Sequence, residues 1–360
     1  MYGDAIHGQF DCDAGIEKAP AHYWVSRGVD RCVAADDASH STGARGALFW
    51  SVMEGRPAHI PVLCEEMIQA LSPRSGGVYL DGTLGAGGYA EALLEASRPD
   101  GRVIGLDLDA DAVERARQRL ARYGERVILV HAGFHEAGEV LGRRGIGALD
   151  AAVLDLGLSS DQLADSKRGF SFMRPGPLDM RFDASGGPTA LELLRSFSAR
   201  QLEEILATYG EERYCKKLAR AISRAAAGGE LETTEDLARV IEKTVRGRRG
   251  RIHPATRVFQ ALRIVVNREI ENLRRALVEI PRLLAVGARF CVVSYHSLED
   301  REVKASFREL VRRGDDWRLV TPKPIRPSAE EIARNPRARS ARMRVIERAA
   351  SVEKTEGMRR

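Results

Sequence analysis

The chain has 360 residues, 44% hydrophobic and 30% charged, which gives a soluble globular composition and room for more than one structural unit. No apolar run approaches the roughly 18 residues of a membrane span, and a net charge of +5 with pI near 9.0 permits a nucleic-acid partner without requiring one. Cys12, Cys32, Cys64, Cys215 and Cys291 are scattered without a CxxC pair or metal-ligand spacing, which points to a reducing cytoplasm and away from a disulfide or zinc framework.

Residues 1 to about 55 mix small and polar residues without a period and lack a secretory pattern. They are expected to be a disordered arm, or untranslated sequence ahead of a true start at Met53. From Pro61 to Leu71 the apolar positions Val62, Met67, Ile68 and Leu71 fall near helical spacing, and Pro73 ends the run. Val78 to Asp81 then reads as a short strand. Gly82, Gly85, Gly87 and Gly88 follow as a turn bare of side chains, and a helix starts near Ala90. Strand, glycine turn and helix N-terminus together make room for a nucleotide-like ligand at the carboxyl edge of a sheet. The spacing Gly85-x-Gly87-x-x-Ala90 also fits a dinucleotide fingerprint.

Arg102–Asp107, Val127–Val130 and Ala151–Asp155 are further strands, and Ala110 to Arg122 is a helix with Val113, Ala116 and Leu120 on one face. This alternation predicts a parallel, doubly wound α/β sheet. From Asp161 to about His253 the alternation stops. Helical patterns near 191–194, 202–209, 214–227 and 234–245, the last opened by Thr233-Thr-Glu-Asp, indicate a helical insertion after the fourth strand. One or two helices over 256–285, a buried strand at Ala288–Ser294 and a last strand at Met343–Glu347 complete the sheet. The expected division is a core of 56–160 and 254–349, an insertion at 161–253 and a flexible tail at 350–360.

Asp107 ends the second strand, where a carboxylate can accept both ribose hydroxyls of an adenosine-containing ligand. NAD and S-adenosylmethionine satisfy this equally. The stretch Asp155-Leu-Gly-Leu-Ser-Ser-Asp-Gln162 separates them better. A dehydrogenase is usually small and apolar there, whereas Asp155, Ser159, Ser160 and Gln162 suit a substrate amine and the charged amino-acid end of S-adenosylmethionine. His296, in Ser294-Tyr-His-Ser-Leu-Glu-Asp-Arg301, should approach the same edge. It reads as a structural histidine or as a proton acceptor.

With these stretches, His59-Ile-Pro-Val-Leu, Arg168-Gly-Phe-Ser-Phe, Gly176-Pro-Leu-Asp-Met-Arg181, Tyr209-Gly-Glu-Glu-Arg213, His253-Pro-Ala-Thr-Arg-x-Phe-Gln-Ala-Leu-Arg263 and Asn335-Pro-Arg-Ala-Arg-Ser340 make the chain resemble the RsmH (MraW) family from about His59 to Arg348. The resemblance implies a Rossmann-like class I S-adenosylmethionine-dependent methyltransferase with a helical substrate-recognition insertion. It also implies methylation of N4 of one cytosine in the decoding region of 16S ribosomal RNA. Its cofactor positions would be Gly87, Gly88, Tyr89, Asp107, Phe134, Asp155 and Gln162. Asp155, Ser160 and His296 are the candidates for handling the amine and its proton.

Tyr89 stands where the family usually has His, Leu84-Gly85-Ala86 where it has Phe-Gly-Arg, and Asp161 where it tends to have Pro. The expected partner is 16S rRNA or the small ribosomal subunit, with no membrane, and a homodimer is left open. Arg246, Arg248, Arg249, Arg251 and the group Arg334, Arg337, Arg339, Arg342 and Arg344 are the basic residues available to the RNA backbone. An NAD-dependent oxidoreductase and a non-catalytic RNA-binding assembly factor are the competing readings.

Overall fold

A computed structural model describes residues 61–245, 253–314 and 316–350. The expectations for 1–55, Met53, His59, the run Arg246 to Arg251 and the tail beyond 350 lie outside the described residues. The sheet has seven strands: β1 (Val78–Asp81), β2 (Arg102–Asp107), β3 (Val127–His131), β4 (Leu149–Asp155), β5 (Leu284–Ser294), β6 (Trp317–Leu319) and β7 (Arg342–Arg348). Their order is β3-β2-β1-β4-β5-β7-β6. The first five are parallel, as the alternating sequence predicts, and β7 runs antiparallel to both β5 and β6. The alternation that predicts parallel pairing covers the strands up to β4 and gives no direction for Met343–Glu347. The fold supplies that direction, antiparallel, and adds β6, which the sequence pattern does not show.

Period-2 alternation sorts the strand residues between two cores. Tyr79, Val103, Ala151, Val153, Cys291, Val293, Met343 and Val345 face helices α1 (Cys64–Leu71), α2 (Gly88–Ala96) and α3 (Ala110–Leu120). Leu80, Ile104, Ala152, Leu154, Phe290, Val292 and Ile346 face α4 (Ala137–Arg143), α11 (Glu269–Leu283) and α12 (Ser297–Arg313). Because both faces are covered, the strands read as continuous apolar runs such as Cys291-Val-Val. Phe290 and Phe307 pack at 5.7 Å between ring centres within the second core. Truncating either would cost about 3–5 kcal/mol.

Between β4 and β5 lie α5 (Ser160–Ala164), α6 (Ala190–Ser196), α7 (Ala199–Thr208), α8 (Cys215–Ala227), α9 (Thr234–Thr244) and α10 (Ala255–Val266). α6 through α10 build a third core from Leu194, Leu202, Leu206, Leu218, Ile222, Leu237, Ile241, Val258 and Leu262. Capping boxes at Thr189, Ser198 and Thr233 fix where three of these helices begin. Asp179, Met180 and Arg181 stand at the seam with α10. Asn267 holds that seam by donating to the Met180 carbonyl and accepting from the Phe182 amide, each at 2.7 Å. A short helix α13 (Ala329–Arg334) precedes β7.

Candidate active site

Three strands end on an acid at one edge of the sheet: β1 on Asp81, β2 on Asp107 and β4 on Asp155. The glycine turn is folded onto that edge by hydrogen bonds to β2. Leu84 donates to the Leu106 carbonyl at 2.9 Å, and Gly85 donates to Asp107 Oδ2 at 2.7 Å. Gly85 and Gly87 have φ of 51° and 81°, left-handed values that residues with a Cβ resist, so the chain can turn directly into α2. Asp107 Oδ1 accepts from the Asp109 amide at 2.9 Å. Burial still lifts the Asp107 carboxyl above its ordinary range, against the two amides that lower it.

The neighbouring Asp109 is a junction. It caps α3, and its Oδ2 accepts from Gln162 Nε2 at 3.1 Å and Arg168 Nη1 at 3.0 Å. Gln162 in turn accepts from the Ser159 amide at 3.0 Å, closing the capping box of α5. The structure therefore places Gln162 as a strut between the α3 N-terminus and the turn after β4. Ser160 is the first residue of that short helix. Phe134 lies against the start of the glycine turn, where a Cβ added to Gly82 would stand 3.0 Å from its own. Tyr89 is buried, and its hydroxyl donates to the Val62 carbonyl, tying α2 to the segment ahead of α1.

At the centre, Thr83 links two strand ends: its amide donates to Asp81 Oδ1 at 3.2 Å, and its hydroxyl oxygen accepts from the Asp155 amide at 2.6 Å. Asp81 is 0% exposed, and its Oδ2 has no hydrogen-bond partner among the described residues. Burial pushes the Asp81 carboxyl up to about 7, with Asp107 adding to the rise. Burial likewise pushes Asp155 up to about 8, reinforced by the charges of Asp81 and Glu299 and opposed by the Tyr295 and Tyr89 hydroxyls. Asp155 Oδ1 accepts from the Tyr295 hydroxyl at 2.8 Å. Two carboxyls raised this far mark a place that favours a positive partner.

His296 has a different setting. It caps α12, its Nδ1 accepts from the Glu299 amide at 3.4 Å, and its Nε2 stands 3.0 Å from Glu299 Oε1. Glu299 Oε2 accepts the amides of Tyr295 and His296 at 2.8 and 3.2 Å. Glu269 lies in the same cluster and takes a two-pronged ion pair from Arg263 at 2.7 and 2.8 Å. His296 is thus built into a cluster with Glu299, Glu269 and Arg263 behind Tyr295.

The C-terminal basic group divides. Arg342 and Arg344 both clamp Asp300 at 2.7 Å, so they form structural ion pairs and are not cations held ready for RNA, a correction to their expected role. Arg334 and Arg339 are exposed. Tyr295, Thr83 and the junction at Asp109 do not stand out in the sequence pattern. The available signal was the His-x-x-Glu capping spacing after β5, which aims the preceding tyrosine back at the sheet edge.

These features fit a cationic, adenosine-bearing ligand. There is a turn cleared of side chains, an acid at the end of β2, an aromatic ring beside the turn and a buried carboxyl oxygen lacking a partner. With the strand order, they define a class I S-adenosylmethionine-dependent methyltransferase, for which that sulfonium is the methyl donor. The chain belongs to the MraW methylase family, whose model matches residues 56–349.

Among its relatives, a protein of Syntrophobacter fumaroxidans named ribosomal RNA small subunit methyltransferase H is 46% identical over 314 residues, covering 82% of this chain and 98% of its own. A Thermomicrobium roseum protein of the same name is 46% identical over 306 residues, covering 81% and 94%. An rRNA methylase structure from Streptococcus thermophilus superposes with a TM-score of 0.36 at 13% identity, over 81% of this chain and 100% of that one. That likeness is too distant to assign any residue.

Proposed function

We propose that this protein methylates N4 of a cytidine in the decoding region of 16S rRNA, acting in the cytoplasm on the rRNA or on the small ribosomal subunit. The names of its close relatives support the RNA. The observation that carries the chemistry is the placement of Asp155 at the end of β4, where its amide donates to Thr83 of the glycine turn and its Oδ1 is held by the Tyr295 hydroxyl. A cytosine amine is a weak nucleophile because its lone pair is delocalised into the ring. An acceptor for its N–H bonds turns that lone pair toward the donor, and methylation then releases one proton. In its ionised form Asp155 suits both tasks, because a carboxylate whose pKa is raised is a stronger proton acceptor than an ordinary one.

S-adenosylmethionine supplies an activated methyl group on a sulfonium. Gly87, Gly88 and Tyr89 carry the turn along which it would lie, Asp107 would hold its ribose and Phe134 its adenine. Gln162 keeps the β4 turn in place through Asp109. Ser160 offers a second oxygen on the acceptor side, and His296 supports the loop that carries Tyr295. Orientation rather than new covalent chemistry would provide most of the acceleration. The target base must leave its stack to reach the edge. The helical layer of α6 to α10 is the surface proposed to receive the surrounding RNA, with Arg334 and Arg339 on phosphates.

Nucleoside mass spectrometry of 16S rRNA from cells with and without this gene tests the assignment. Loss of N4-methylated cytidine is expected, and an unchanged nucleoside profile refutes it.

A further inference from the structure

Tyr295 follows the last residue of β5 and is held at three points. Its amide donates to Glu299 Oε2 at 2.8 Å, and its hydroxyl donates to Asp155 Oδ1 at 2.8 Å. Its ring lies beside Gly157, where an added Cβ would meet ring atom Cδ2 at 3.4 Å. Gly157 has φ of 106°, a conformation that residues with a Cβ rarely adopt. The three contacts remove separate freedoms. Glu299 fixes the backbone, the glycine surface fixes the ring, and the hydroxyl fixes rotation of the Asp155 carboxyl about its Cβ–Cγ bond. Asp155 Oδ2 is the oxygen that Tyr295 does not hold.

We infer that Tyr295 is the positioning residue of the acceptor side, setting the plane of the Asp155 carboxylate so that its second oxygen receives an N–H of the substrate's exocyclic amine. The inference deepens the cytidine-amine reading and rests on it. An acceptor aimed in the plane of the amine selects an N–H of a base over a ring or sugar position, and geometry of this kind is set by hydrogen bonds from neighbouring groups. The role requires Asp155 as the anion. Asp81 from β1 and Glu299 from α12 oppose ionisation, and the Tyr295 hydroxyl favours it. The thiol of Cys291, on β5, is itself pushed up by burial and by Asp155. Tyr295 therefore aims the carboxylate and also favours its charged form.

Tyr295→Phe tests this, since it keeps the ring against Gly157 and the amide on Glu299 and deletes only the donor. Its kcat on small subunits is expected to fall about 10- to 30-fold, the size of a missing hydrogen bond to a charged group. Affinity for S-adenosylhomocysteine by calorimetry should fall far less than kcat, because the glycine turn and Asp107 are untouched. In the cofactor-free protein, 13C-carboxyl NMR should show Asp155 titrating at higher pH in the variant, and the acid limb of kcat should move the same way. In an Asp155→Asn background the tyrosine change should add little, the mark of residues acting as one unit.

Wild-type kcat with an unmoved Asp155 titration overturns the inference, as does a parallel loss of cofactor affinity. A wild-type protein that forms no N4-methylcytidine overturns the substrate assignment instead. The carboxyl titration still reads the Tyr295–Asp155 coupling in that case.

Discussion

Two groups of buried and half-buried acids sit close together at the end of the sheet and behave in opposite ways. Asp81 and Asp155 are raised to about 7 and about 8 by burial, and neither takes an ion pair among the described residues. Glu299 and Asp300 resist the same burial. His296 and Arg263 hold Glu299 below its ordinary range, and Arg344 and Arg342 do so for Asp300. One group is compensated within the chain and the other is left for a partner. A buried acid that the fold has not neutralised marks where a positive ligand belongs, and a neutralised one marks the frame around it.

The sharpest way to break this contrast is Asp155→Asn. Single-turnover methyl transfer should fall by about 10²- to 10⁴-fold, the range for losing a positioned acid or base. On the compensated side, Asp300→Ala should remove about 3 kcal/mol of stability by leaving Arg344 buried without its anion, read as a shift in the urea midpoint. Asp107→Ala should weaken S-adenosylhomocysteine binding by about 10- to 100-fold in calorimetry, because the carboxylate folds the glycine turn and is the group proposed to hold the ribose.

Asp81 gives a pH signature. Its folded pKa lies above its unfolded one, so the native state binds the extra proton and stability falls as pH rises from about 4 to about 7, by up to about 1.4 kcal/mol per pH unit. Asp81→Asn should flatten that slope in urea titrations of the cofactor-free protein. The smallest effect is at the surface. Replacing Arg334 and Arg339 by Gln should lower the salt slope of RNA binding by about 1.4, about 0.7 for each single-strand phosphate that is no longer neutralised.

Much of this architecture is legible in the sequence because its signals are local. The acids at the ends of β1, β2 and β4 stand at the point where an apolar run stops, and the glycine turn declares its own backbone. The helices of 190–266 follow from amphipathic spacing and Thr or Ser caps. Pairing direction is not local: nothing within Met343–Glu347 distinguishes a parallel from an antiparallel neighbour. β6, at Trp317–Leu319, is too short for a period to show.

Arg342 and Arg344 lie two residues apart on a strand and so share a face. That spacing hints at a common buried partner, but only the fold reveals it to be Asp300 on α12. Tyr295 was hidden for a similar reason. An aromatic residue after an apolar strand looks like core until β4 supplies the carboxyl that it serves.

Glu211 has a wider bearing. Held at φ 46°, it accepts from Ser297 Oγ and from Arg301, both at 2.8 Å, and its carbonyl accepts from Arg257 at 3.1 Å. One carboxylate thus rivets the helical layer to the first turn of α12, two residues beyond Tyr295. If the proposed substrate docks on those helices, this carboxylate is the direct polar link from the docking layer to the turn that carries Tyr295.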